Sequence, residues 1–219
     1  GNAIDQGTVD STIQINLEVK GRDRSRGLYW FSVGKDYKEI KALDEYIQEV
    51  GIINGINETI ARDNAWVNKE DLDFFDLPEK VIKLYKQSIL IVKSQMDEGG
   101  AIIAANDSDV MQFNRDHYSY LWPRDGALVA LALSKAGYAF LTRKFYELCA
   151  ELITPKGFLL HKYNPDGSLG SSWHPWFHEI EGLSLAIQED ETALVLYTLW
   201  KYYLEYGDME LISRLYSGF

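Results

Sequence analysis

Hydrophobic and polar positions change period along this chain, and each change marks an element. Ile13, Ile15, Leu17 and Val19 alternate with Gln14, Asn16 and Glu18, the period of two that a half-buried strand requires. The polar run from Gly21 to Arg26 reads as a turn, and Gly27 to Val33 reads as a second strand, so the pair predicts a β-hairpin. Two strands alone are marginal in water, so this hairpin needs a larger sheet or a helical support. From Asp36 the period becomes helical. Ile40, Leu43, Ile47 and Val50 share one face, Asp36 with Glu39 forms a capping box, and Gly51 suits the C-terminal stop.

The remainder reads as a succession of helices. A short one is predicted over 58–67. A longer one opens at Leu77-Pro78, with Pro in the first turn, and runs to Met96 with Val81, Leu84, Tyr85, Ser88, Ile91 and Val92 inward. Gly99-Gly100 ends it, and 101–105 reads as a short extended segment. Further helices are predicted at 125–137, 140–153, 189–206 and 208–216. Residues 154–180 carry three prolines and three glycines and read as a long loop, the kind of segment that usually carries function. Strands followed by helices argue for separate domains rather than a βαβ sheet.

Composition narrows the chemistry. The 219 residues carry a formal net charge of −11, which leaves no electrostatic footprint for nucleic acid or an anionic membrane surface. The most apolar run, Gly126 to Leu141, is interrupted by Lys135 and is too short to span a bilayer. A single cysteine, Cys149, excludes a disulfide within the chain and reads as a buried thiol beside Phe145, Leu148 and Leu152. Six Trp and fourteen Tyr are a rich aromatic complement, suited to stacking on sugars and equally to filling a core. No cofactor pattern is present: there is no phosphate-binding glycine loop and no nucleophile elbow. His174 and His178 have a metal-like spacing, but Pro175 lies between them and no third ligand is evident.

Three stretches hold candidate chemistry. In Tyr118-Ser-Tyr-Leu-Trp-Pro-Arg-Asp125, Pro123 forces Trp122 into an extended conformation and sets Asp125 at the start of an Ala/Leu-rich helix. The Tyr118 and Trp122 rings can cover the C–H face of a pyranose while Arg124 donates to and Asp125 accepts from its hydroxyls. The competing reading is that Asp125 only caps its helix and both rings are core. The second stretch, Ser171-Ser-Trp-His-Pro-Trp176, offers Trp173 and Trp176 on a loop, exposed or folded back. The third, Gln188-Glu-Asp-Glu191, opens a helix whose macrodipole favours acids. Successive acids on one turn diverge and do not face each other across a bond, so they are rejected as an acid–base pair, while Gln188 or Asp190 can contact a hydroxyl.

Taken together and in this order, Tyr118 to Ala127, Asp166 to Trp176 and Ile187 to Leu196 resemble glycoside hydrolase family 15, the prokaryotic glucoamylases and glucodextranases. The resemblance implies a mainly α fold, the first half of an (α/α)6 barrel preceded by a β-hairpin remnant of an N-terminal β-sandwich. Residues 1–34 would be the last sandwich strands, 35–54 a linker helix, and 55–219 the opening half of the barrel. It implies an inverting exo-hydrolase that takes glucose from the non-reducing end of an α-glucan. Arg124 and Asp125 would hold the terminal glucose, Tyr118 would stack near it, and Trp122 would wall the pocket. Trp173 would lie toward the neighbouring subsite, with Gln188 and Asp190 supporting the floor. The family's general acid is a Glu in an aromatic-Glu-Glu motif beyond these helices and its base a later Glu, and neither motif occurs here.

Twelve helices need on the order of 400 residues. A chain that begins at Gly1 without Met therefore reads as a piece of a longer polypeptide, nearly inactive alone and prone to self-associate through an open apolar face. Two alternatives stand beside this reading. One is a non-catalytic glucan- or protein-binding relative, like the regulatory subunits of phosphorylase kinase. The other is a hydrolase acting on trehalose or dextran.

Overall fold

A computed structural model describes residues 12–69, 72–106, 118–170, 177–178, 182–183 and 187–216. It is mainly helical and divides into two units, Gly1–Glu70 and Asp71–Phe219.

In the first unit, α1 (Tyr37–Val50) and α2 (Ile52–Val67) are joined at Gly51, whose φ of 84° is open to glycine at little cost. The Asp36 carboxylate accepts from the Glu39 amide at 2.9 Å, and Glu39 reaches back to accept from the Lys35 amide at 2.6 Å. The capping box thus forms one residue earlier on its return side than the sequence motif implies. The expected hairpin does not form. A turn is made where the Asp23 amide donates to the Lys20 carbonyl at 3.0 Å, and Gly27 comes against Ile15, but no strand is assigned within 12–34. Ile13, Leu17, Val19, Phe31 and Val33 remain exposed. Among the described residues there is no third strand here and no buried face, so a ladder would have nothing to offset the entropy of its ordering.

The second unit comprises α3 (Glu79–Ser94), α4 (Pro123–Lys135), α5 (Ala139–Leu152), α6 (Glu189–Tyr206) and α7 (Met209–Leu215). Two antiparallel dipeptides, Phe177–His178 and Gly182–Leu183, pair with each other. No described helix is long and apolar enough to cross a membrane. The core is built where α4 packs on α5 and most extensively on α6. The small residues Gly126, Ala127 and Ala130 face inward on α4 and admit Phe145 of α5. Leu121, Leu159, Val195, Tyr146 and Leu211 close the remainder.

α4 and α6 run parallel. Arg124 in the first turn of α4 donates to Gln188 at the start of α6, and at the other end the Tyr206 hydroxyl donates to the Ser134 carbonyl. α5 follows the tight turn at Gly137, whose φ is 78°, and packs against both α4 and α6. α7 is fixed by Asp208, which accepts from the Leu211 amide at 2.9 Å, the Tyr202 hydroxyl at 2.9 Å and Arg143 at 3.2 Å.

Cys149 is fully buried in this core, and burial pushes its thiol well above the ordinary range. A thiol-reactive dye added to native protein is expected to leave it unlabelled and to label one thiol per chain in denaturant. Rapid labelling without denaturant would contradict the packing of α5.

Candidate functional site

The site grows from an extended segment that runs into a helix. Trp122 takes φ −99° and ψ 121°, as the following proline demands, and Pro123 then starts α4 with no amide to satisfy. The segment is held on both sides. The Ala105 and Ala104 amides donate to the Tyr118 and Tyr120 carbonyls at 3.1 Å. On the other side Leu121 and Tyr163 exchange both backbone hydrogen bonds at 2.9 Å. This pairing joins the rim to Phe158-Leu-Leu-His-Lys-Tyr163, a stretch whose sequence reads only as part of a loop.

The polar centre lies where the N-termini of α4 and α6 meet. The half-buried Arg124 guanidinium donates to the Gln188 carboxamide through Nη1. The same nitrogen lies 3.4 Å from Asp190 Oδ1, and Nη2 lies 3.7 Å from Asp125 Oδ2. Both carboxylates are about half exposed, so these ion pairs are worth little as stability and more as orientation. No side chain caps α4, so Asp125 is not the helix cap that one reading of the sequence gave it. It stands instead at the edge of a hollow of about 400 Å³ lined by Ile91, Val92, Ile102, Ile103 and Leu128.

The two rings of the motif differ in exposure. Tyr118 is 53% exposed, whereas Trp122 is 5% exposed and lies beneath it, ring centroids 5.8 Å apart with a 36° tilt. Tyr118 therefore presents the open face, and Trp122 backs it. Trp173 lies outside the described residues, as do His174 and Trp176.

Three further residues adjoin this cluster: His161 and Lys162, which the sequence motifs did not single out, and Glu191, which the sequence gave only as one of the acids opening α6. His161 accepts the Trp122 indole N–H on Nε2 at 3.2 Å. Burial, then the charges of Lys162 and Arg124, hold its basicity below that of an ordinary histidine. Lys162 is buried, its ammonium 4.3 Å above the Tyr120 ring and 5.6 Å from that of Trp122. Glu191 is fully buried, and neither carboxyl oxygen has a hydrogen-bond partner among the described residues. Burial pushes its pKa up to about 8, with Asp190 and Asp125 adding to the effect and Arg124 opposing it. Its position was legible: Glu191, Val195, Thr198, Leu199 and Tyr202 form one inner stripe of α6. His161 and Lys162 gave no such signal, because a loop has no period.

Chemically, one guanidinium, two exposed carboxylates, an amide and an open phenol ring suit a neutral, hydroxyl-rich ligand. Asp125 and Asp190 both face the same cation, Asp125 through Nη2 and Asp190 through Nη1. Among the described residues no group of three His, Cys, Asp or Glu side chains is arranged to hold a metal ion.

An uncharacterized glycosyl hydrolase of Methanocaldococcus jannaschii is 23% identical over 138 residues, which are 63% of this chain and 19% of that protein. A solved glycosidase structure overlays with a TM-score of 0.48 at 19% identity, covering 65% of this chain and 41% of its own. The chain thus spans about a fifth of the length of the curated relative it matches. The sequence profile of glycosyl hydrolases family 15 matches residues 79–217, the whole run of helices α3 to α7 with the Arg124 cluster at its centre, and this chain belongs to that family.

Proposed function

We propose that this chain supplies the glucose-anchoring part of an inverting, exo-acting α-glucan hydrolase of the glucoamylase type. The observation that carries the reading is the Arg124 cluster, which gathers Asp125, Gln188 and Asp190 at two adjacent helix N-termini, with the exposed Tyr118 ring stacked on Trp122 in the segment that leads into α4. A terminal glucose offers hydroxyls on its edge and an apolar C–H face. The carboxylates accept from the hydroxyls, and the phenol ring covers the face. The parallel α4 and α6, in direct contact and both packed on α5, support an (α/α)6 barrel, of which residues 55–219 would be the opening half.

Clamping the last sugar closes the site beyond it, and that is what makes hydrolysis proceed from a chain end. The anchor fixes the glycosidic bond relative to two other carboxyl groups, an acid for the leaving oxygen and a base for the attacking water. In an inverting enzyme these stand roughly 6.5–9.5 Å apart, and in this reading they are glutamates outside this chain. Anchoring contributes through orientation rather than proton transfer. Trp173 would line the next sugar position.

Maltose titrated into the chain and followed by calorimetry tests the reading. Asp125→Ala is expected to weaken binding by about 10- to 100-fold, the range for losing a hydrogen bond to a charged group. Equal affinity of the two proteins would remove Asp125 from the sugar site and the reading with it.

A further inference from the structure

The exposed ring of the rim is held by a chain of contacts that ends at His161. An indole N–H can only donate, so the 3.2 Å contact from Trp122 Nε1 requires an unprotonated Nε2 on His161. The imidazole is then neutral with its hydrogen on Nδ1. Its cationic neighbours, Lys162 next in the chain and Arg124 in the first turn of α4, both oppose a second proton. His161 is 7% and Trp122 5% exposed, so water cannot replace either partner. The bond therefore fixes the rotation of the indole, which Tyr120 also meets edge-on at 5.7 Å and 87°. Trp122 in turn lies under Tyr118. Two residues along from His161, the Leu121–Tyr163 backbone pair locks the same two segments together, so the histidine is carried on a fixed support.

We propose that His161 is a positioning residue for sugar recognition: its neutral Nε2 locks the Trp122 indole, and Trp122 sets the plane in which the Tyr118 ring meets the sugar. This rests on the carbohydrate reading above.

Maltose affinity and the indole N–H resonances of the ¹⁵N-labelled chain test it together. His161→Phe keeps a ring of similar size and removes the acceptor, whereas His161→Gln keeps an acceptor. Freeing an ordered ring costs a factor of about five to ten in affinity, so His161→Phe is expected to bind maltose that much more weakly. One indole N–H should move upfield and exchange faster with solvent. His161→Gln should recover most of both. If the wild type binds maltose and His161→Phe binds it equally, the positioning role is overturned while the sugar site stands. If the wild type does not bind maltose, the sugar reading fails and this role falls with it. Should His161→Phe not fold, the imidazole ¹⁵N shifts of the wild type decide the matter, assigned by their loss in His161→Gln. An unprotonated Nε2 supports the proposal, and a protonated Nε2 overturns it.

Discussion

Glu191→Gln is expected to make the chain markedly more stable at pH 8–9 and to leave it nearly unchanged at pH 5. Glu191 is fully buried at the start of α6, and its folded-state pKa of about 8 stands far above the 4.5 of an unfolded chain. As pH rises through that interval the unfolded chain releases a proton that the folded chain retains. Folding is therefore penalised by about 1.4 kcal/mol for each unit climbed, and the penalty levels off above pH 8. Relative stability from this group is complete below about pH 4.5 and is lost on the way to 8. Glutamine has the same shape and carries no charge at any pH, so the loss should vanish, a difference of several kcal/mol at alkaline pH. Urea unfolding of both proteins at pH 5, 7 and 9 measures it. Parallel pH profiles would show that Glu191 is ionised in the fold and has a partner there.

Gly100→Ala is expected to cost about 3 kcal/mol or more. Gly100 has φ of 99°, and a Cβ there would lie 2.4 Å from the Lys144 carbonyl oxygen and 2.6 Å from its carbon. Both neighbours are backbone on α5 and cannot turn aside. The added methyl must push α5 away from the segment that includes the buried Ala101 and Ile102. Gly157→Ala is the matched control. Its φ is 83° with nothing within 4 Å of the added atom, so only the backbone conformation is penalised, about 1 kcal/mol. Thermal melts of the two variants should separate widely. Similar melting points would mean that the helix–loop contact at Gly100 is loose.

The helices were legible because local rules specify them. Asp36 caps α1, Pro123 extends Trp122, and Gly207 in the left-handed region, with φ of 62°, ends α6 close to where the hydrophobic stripes stop. The hairpin misled because alternation registers the wish for a buried face and not the presence of a surface to bury it on. The Arg124 cluster was readable in part. Gln188 and Asp190 followed from the motif, but that one guanidinium serves them both depends on α4 and α6 lying parallel. Nothing local ties Leu121 to Tyr163 or Trp122 to His161, some forty residues apart in the chain. The order of burial in the aromatic pair, Trp122 below and Tyr118 above, follows from that pairing as well.

Gly126 adjoins Asp125, and a Cβ placed on it would come within 2.5 Å of the Phe145 ring. Two demands thus meet at neighbouring positions of one helical turn. The inner one must stay bare for α5 to approach, and the outer one carries the half-exposed Asp125 carboxylate that faces Arg124. Any drift toward a larger residue at 126 would shift the peptide that bears Asp125, so the spacing of two helices and the aim of a single oxygen must be inherited together.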